Sequence, residues 1–475
     1  MGMRETVKLC RQFGFIRGIA SAAVVTAGLT GAPTHAFGAE PGQVAPNLPG
    51  AEDEPAQDDR VDQLEQRLME LSDRLKQSEE RQRVKAESPL SIHGYVDFGF
   101  FAPMGNHGAG FVEDVGHMQF PQYSQYSWMF LGDILGSPVN SRGEAASLGN
   151  PPGVNRFDSV NSNGAPGFIA NEVNLRLGYA LSERALLRTS VNFVPRTGHE
   201  FALGDFVEVD LAEMEYVLTA DGNTSLFVGK MLPVLGIEYK ERKSDQRFGI
   251  TPSLVHRYTS GSQLGLKLRS KLFQEWVILA GSVTNNSSGT EQFHFSSEID
   301  RNSGKTVNGR AALSVPVGDL TRIAPGDRLE LGASGEIGPQ DFATNNAQNI
   351  FFWGVDLQYI GTNIWLKAQF LRGKAPGTAD GTAWQLDLHS SGYVELDWQA
   401  LGWLGFMGRA EQRDAFVAQG TDRAYLTKQR RFTVGGRFVV NPHIIVKAEY
   451  LANVEYGGIA AIDNNMFTSS LVLAY

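Results

Sequence analysis

The sequence predicts an all-β fold: a transmembrane antiparallel up-and-down β-barrel of about 16 strands, preceded by a signal peptide and a short periplasmic coiled-coil helix. Three observations predict it. Strand candidates carry charge on one face and aliphatic residues on the other, the connections between them alternate in length, and the chain ends on the two-faced decapeptide MFTSSLVLAY. In that decapeptide Phe467, Leu471, Leu473 and Tyr475 share one face, and Thr468, Ser470 and Ala474 share the other with Met466 and Val472. Alone it fits the last strand of a soluble sheet equally well. Average composition does not separate the two cases, because a barrel alternates lipid-facing with lumen-facing residues and never shows a long apolar run. A mean hydropathy of -0.21 and a net charge of -10 are therefore compatible with either.

The N-terminus argues for export. Arg4, Lys8, Arg11 and Arg17 form a basic region, Ile19 to Leu29 an apolar one, and Thr34-His35-Ala36 or Ala36-Phe37-Gly38 a small-x-small cleavage site. Residues 1–39 are expected to be a signal peptide. The single cysteine, Cys10, falls within it, so disulfide, thiolate-metal and thiol-nucleophile chemistry are not expected of the mature chain. Residues 40–60 are an acidic, Pro-rich linker with Pro41, Pro46, Pro49 and Pro55. In residues 61–87, Val61, Leu64, Leu68, Leu71 and Leu75 recur at three- and four-residue steps, which reads as a coiled coil. Ser78 and Gln82 take the next seam positions, so this helix needs partner chains or a periplasmic surface such as peptidoglycan to rest on.

From residue 88 to residue 475 strand candidates follow one another. The first, Leu90 to Phe101, precedes a long loop to Gly167. Phe168 to Leu181 and Ala185 to Val194 flank the tight turn Ser182-Glu183. Short connections such as Ala220 to Asn223, Phe273 to Glu275, Ile360 to Asn363, Gln399 to Gly402 and Asn441 to His443 then alternate with long ones. The long ones include Pro195 to Asp205, Leu232 to Ser260, Asn285 to Gly304, Gly373 to Leu388 and Asp414 to Thr427. Soluble sandwiches have no reason to sort loops by end; outer-membrane barrels do. Pro316 to Asp327 breaks the alternation.

A lipid-facing Arg or Lys near the midplane costs about 2 to 4 kcal/mol. In QLGLKLRSKL, from Gln263 to Leu272, the leucine face must then meet lipid, and Lys267, Arg269 and Lys271 must meet water. The same test assigns Arg176, Arg188, Arg310, Lys367, Arg409, Arg437 and Lys447 to the lumen, together with Glu172, Glu330, Asp356, Glu395, Asp397, Glu411 and Glu449. Between Glu238 and Lys271 the chain is locally basic, with Lys240, Arg242, Lys243, Arg247, Arg257, Lys267, Arg269 and Lys271. These are the candidates for an anion-favouring eyelet; a solvated basic loop is the alternative.

The run LFVGKMLPVLGIEYKERKSDQRFGITPSLVHRY, from Leu226 to Tyr258, resembles the strand and third external loop of the phosphate-selective porins O and P. Gly229-Lys230, Pro233, Gly236-Ile237-Glu238 and Thr251-Pro252-Ser253 carry the likeness. The resemblance implies sixteen strands, a homotrimer and a third loop folded into the pore, which would bring Arg242, Lys243 and Arg247 to the constriction. It also implies the outer membrane of a Gram-negative-type bacterium, with lipid, small hydrophilic solutes and the barrel-assembly machinery as partners. Tyr475 is similar to the terminal aromatic by which that machinery recognises barrels.

Histidines are scattered, with no HExxH motif, and Ser253 near His256 is the only suggestive local pair, so neither a metal site, a cofactor nor enzyme activity is expected. No nucleic-acid signature is present. Two functions fit: a passive diffusion channel, with an anion preference from the third loop, and a structural or adhesive barrel that binds a surface partner through its first loop or N-terminal helix. Deleting Val61 to Val84 is expected to weaken a trimer on a semi-native gel; an unchanged trimer would show that the barrel walls alone assemble it.

Overall fold

The computed structural model describes residues 89–104, 166–193, 207–285, 303–321, 326–339, 349–379, 382–419, 422–455 and 465–475. The expected signal peptide, linker, coiled coil and most of the first loop lie outside the described residues. Sixteen strands close a barrel in which each pairs antiparallel with its neighbours in sequence. The first eight are β1 (Leu90–Pro103), β2 (Gly167–Ser182), β3 (Ala185–Phe193), β4 (Val207–Val217), β5 (Thr224–Met231), β6 (Gln263–Leu272), β7 (Val277–Thr284) and β8 (Thr306–Val315). The rest are β9 (Arg328–Pro339), β10 (Asn349–Ile360), β11 (Ile364–Ala379), β12 (Thr382–Leu401), β13 (Leu404–Gln419), β14 (Asp422–Asn441), β15 (Ile444–Glu455) and β16 (Met466–Ala474).

The terminal decapeptide supplies the closing strand. β16 pairs with β1 from Tyr95↔Ala474 to Pro103↔Met466, and Gly94 and Tyr475 exchange backbone hydrogen bonds at 3.0 and 3.2 Å. Phe467, Leu471 and Tyr475 are exposed on the outer face, and Leu473, half-buried, shares their parity. Met466, Thr468, Ser470 and Val472 point inward, where Val472 packs with Tyr95 and Ile445.

Parity sorts the whole wall in the same way. On β6, Leu266, Leu268 and Leu272 are exposed outside, whereas Lys267 is buried inside. On β10, Phe351, Trp353 and Val355 face out, and Ile350, Phe352, Asp356 and Gln358 face in. Outward aromatics gather near both ends of the strands, where amphipathic rings suit the lipid interfaces. Trp353 stacks on Phe370 with centroids 5.8 Å apart at one end, and Trp403 meets Phe438 at 5.2 Å at the other.

In two connections expected to be long loops the described residues are strand instead. Gly373 to Leu388 and Asp414 to Thr427 extend the hairpins β11–β12 and β13–β14, with pairs such as Gly377↔Trp384 and Phe416↔Leu426 continuing the ladders. Alternation fades there because a hairpin that rises beyond the lipid has water on both faces. Short helical pieces also occur where none was expected: α1 (His256–Thr259) within the third loop, and α2 (Val317–Thr321) in the connection that broke the alternation.

The outer face generates a direct test. Leu268→Arg would put a cation into lipid midway along β6. A loss of about 2 to 4 kcal/mol of unfolding free energy is expected in urea titrations of the bilayer-inserted protein, whereas Lys271→Arg is expected to change little.

Candidate functional site: the lumen and its third loop

Residues 232–262 join β5 to β6 and fold into the barrel rather than away from it. Leu235, Ile237, Ile250, Leu254, Val255 and Tyr258 are all buried, and Tyr258 lies 6.0 Å from the inward ring of Phe352. The loop turns toward the wall at Gly236, whose φ of +73° is one that other residues rarely adopt. A Cβ there would also collide with Gln369. The peptide N–H of Gly236 donates to Ser334 at 3.0 Å, and that of Ile237 donates to Gln369 at 3.1 Å.

Farther along, the opposite wall grips the loop by its backbone. From β15, Lys447 Nζ donates to the carbonyls of Ser244, Arg247 and Gly249 at 2.5, 2.5 and 2.9 Å. Glu449 accepts the N–H groups of Ile250 and Thr251 and the Thr251 hydroxyl. From β13, Glu411 accepts the Leu254 N–H at 2.7 Å, and Arg409 donates to the Thr251 and Pro252 carbonyls at 2.9 and 3.2 Å. Arg431 of β14 donates to the same Pro252 carbonyl at 2.6 Å. Charge-assisted bonds to peptide groups are the stronger kind, and all five wall side chains that make them are buried.

The basic candidates have separate fates. Lys240 lies 3.5 Å from Glu330; Arg242 pairs with Asp210 and reaches the Ser260 carbonyl at 2.9 Å; Lys243 bridges Glu172 and Asp210 at 3.1 and 2.8 Å. Lys267 donates to the Leu232 carbonyl at 2.8 Å, and Lys271 pairs with Glu275 at 3.1 Å. Arg269 and Arg188 share Glu215, and both approach the buried ring of Phe227, over which Lys267 also sits at 4.5 Å. Arg257 lies in α1 by its backbone. Arg247 has no carboxylate partner among the described residues. A bare basic ring is therefore not what the loop presents.

The wall charges are likewise cross-linked. Arg176 makes a bidentate pair with Asp245 of the loop at 2.6 and 2.8 Å, and Arg310 bridges Glu330 and Asp356. Lys367 gathers Glu241, Glu395 and Asp397 at 2.6, 2.6 and 2.9 Å, and Arg409 meets Glu395 and Glu411 at 3.0 and 2.8 Å. Arg437 instead lies 5.7 Å over the ring of Phe248. Lys447, Glu449 and Glu411, which parity places in the lumen, and Arg431, which the sequence reading did not single out, grip the loop although all four lie outside the basic run.

Within the loop, Ser253 and His256 meet Glu238 rather than each other. Ser253 donates its N–H to Glu238 at 2.8 Å and its hydroxyl to the other oxygen, and His256 Nδ1 stands at 3.5 Å. The serine hydroxyl thus donates to a carboxylate and does not meet the imidazole. Burial would raise the Glu238 carboxyl, but His256 and the two Ser253 donors outweigh it and draw it down to about 2.

No protein-family model matches the chain, and no curated protein matches it. Solved structures do resemble it. OmpF of Salmonella typhi, solved in complex with daunomycin, superposes with a TM-score of 0.50 at 10% identity, covering 81% of this chain and 97% of that one. OprB of Pseudomonas putida gives 0.48 at 11% identity, over 81% and 94%. The outer-membrane channel DcaP of Acinetobacter baumannii gives 0.45 at 11% identity, over 81% and 97%. At such identities the likeness is one of fold, and the fold is the closed sixteen-strand barrel of outer-membrane porins.

The Glu238 contact makes docking of the loop pH-dependent. A carboxyl lowered from its ordinary 4.5 contributes fully above about pH 4.5, and its contribution is lost as the pH falls through about 2. Hydrogen exchange of a peptide spanning 250–256, corrected for intrinsic rates, is expected to show a first decline as the pH falls below 6.5, because burial holds His256 below its ordinary value, and a second decline below 4.5 from Glu238. Glu238→Gln should be less protected throughout and lose that part of the decline; identical profiles would refute the assignment.

Proposed function

We propose that the protein is a porin of the outer membrane, a water-filled channel through which small hydrophilic solutes diffuse passively. The observation that carries this reading is the inner wall: a closed barrel with an apolar exterior whose inward residues include Arg188, Glu213, Arg310, Asp356, Lys367 and Arg409. So many ionised groups of both signs need water or one another, and a lumen supplies both. The apolar exterior places the barrel in lipid. Its likeness in fold to outer-membrane porins supports the same reading.

An anion preference, a trimeric assembly and a periplasmic helix belong to this proposal as its finer parts. The basic bias of the third loop and the resemblance of residues 226–258 to phosphate-selective porins support the first two; the heptads of residues 61–87 support the third. The structural or adhesive reading is favoured by one observation, that the third loop lies across the lumen and is fastened to the far wall.

Reconstitution in a planar bilayer decides between them. Stepwise conductance is expected, in groups of three if the unit is a trimer, with a reversal potential shifted toward the anion in a salt gradient. A folded, inserted barrel that gives no conductance would sink the channel reading and leave the structural one.

A further inference from the structure

We propose that the lipid-facing surface of β11 to β14 binds a bisphosphorylated glycolipid of the external leaflet, with Arg372 and Arg430 on its phosphates and a groove over β12 and β13 under its acyl chains. The proposal rests on the outer-membrane reading of the barrel, and it does not require the barrel to conduct. Residues directly opposite across a ladder share a face, and here that face is the outer one. Arg372 is opposite Trp353 and Lys374 opposite Phe351, two exposed rings; Arg430 is opposite Gln412 and the exposed Val454. Lys428 lies two residues before Arg430 on the same strand and so on the same face.

Height places these cations among headgroups. Arg372 stands eight residues beyond Ile364, where β11 leaves its short turn, and Arg430 eleven before Asn441, where β14 enters its own. At about 3.3 Å of rise per residue and a tilt of about 40°, they are about 20 and 28 Å from those turns, on either side of the top of an apolar band about 25 Å tall. Long connections mark that end as the external one. The carboxylates described on the same surface, Asp387 and Asp414, are met by lysines: Lys374 at 3.5 Å and Lys428 at 3.8 Å. Arg372 has no carboxylate partner among the described residues, and Arg430 donates to the neutral Gln412 at 3.4 Å. The patch is therefore cationic in a chain whose net charge is -10, and that sign suits phosphate headgroups.

Between the two arginines the wall is low. The outward positions there are Gly392 and Val394 on β12 and Gly408 and Ala410 on β13, by registers such as Phe370↔Gly392 and Ala410↔Phe432. A Cβ at Gly408 would meet nothing within 4 Å, so the surface is open above it. Phe370, stacked on Trp353 at 5.8 Å, bounds the groove on one side, and the exposed Phe432 bounds it on the other. An acyl chain laid between such walls touches protein on three sides instead of one, which multiplies its dispersion contacts. Arg372 and Arg430 are three strand spacings apart, about 14 Å at about 4.8 Å each. Phosphates at the two ends of a disaccharide match that separation, whereas a single phosphate would need both side chains bent over the groove. The spacing therefore favours a glycolipid with two phosphates over a phospholipid with one.

The test uses the full-length mature protein in detergent and, as probe, lipid A, an acylated glucosamine disaccharide with a phosphate at each end. Titrations followed by native mass spectrometry are expected to show saturable binding to the wild type, weakened about tenfold or more in Arg372→Gln with Arg430→Gln. Ala410→Phe, which fills the groove and leaves every charge in place, should weaken it as well. Lipid A stripped of its phosphates should bind the wild type no better than intact lipid A binds the double Gln variant. No saturable binding to the wild type, equal affinity of the double Gln variant, or equally tight binding of phosphatidylglycerol would overturn the proposal. So would dissociation of a wild-type oligomer by the double Gln variant in the same spectra, which would make this face the seat of a second copy. Cell fractionation that finds the protein outside the outer membrane would refute that reading and leave a site that binds lipid A in detergent standing.

Discussion

A charge on the inner wall of a membrane barrel has lipid a few ångströms behind it and only the lumen in front. It must find water or an opposite charge on that one side. In this protein the opposite charges are largely supplied by other wall strands and by the third loop. Lys367 on β11 draws carboxylates from β12 and from the loop; Arg176 on β2 reaches Asp245; Lys243 reaches back to β2 and β4. The loop is thus a bridging counter-charge as much as a lid. Its position follows from the need of several strands at once, which is why a segment between β5 and β6 ends up bonded to β13, β14 and β15.

What holds the loop is in part indifferent to its side chains. Lys447, Glu449, Glu411, Arg409 and Arg431 all bind peptide groups between residues 244 and 254. Peptide N–H and C=O groups are present whatever the sequence, so the loop's side chains are left to do other work: apolar ones such as Tyr258 cover inward rings, and charged ones such as Glu241, Lys243 and Asp245 pair with the wall. The exceptions are positions where the backbone itself must bend or approach closely. Gly236 is one, with its positive φ and its contact with Gln369.

The barrel was legible because its rule has a period of two and a strong penalty. One misplaced Lys in lipid costs more than most packing errors, so the parity of Leu266, Lys267, Leu268 and Arg269 decides a strand's orientation, and the terminal decapeptide could be assigned to the seam it closes with β1. Where the penalty vanishes, legibility vanished too. The hairpin ends around Gly377 and Phe416 continue their ladders but read as loops, since water on both faces removes the alternation. The lumen was legible only as an inventory. Arg242 and Arg247 are five residues apart in one basic run, yet one meets Asp210 of the distant β4 and the other meets no carboxylate among the described residues.

One signal for the loop was present in the sequence in another form. A loop bathed in water has little reason to carry VLGI, FGI and SLV within some twenty residues, and burial of those stretches is what the fold does with them. An apolar loop inside a polar lumen has one further consequence. It divides the lumen into a packed side, where Tyr258 meets Phe352, and a charged side, where Arg176, Asp245, Arg247 and Arg437 gather. In the proposed channel, passage belongs to the charged side, where ionised groups can be hydrated. The residues that matter for passage are then those that the loop turns away from its own core, and the apolar residues of the loop matter by forcing it to turn that way.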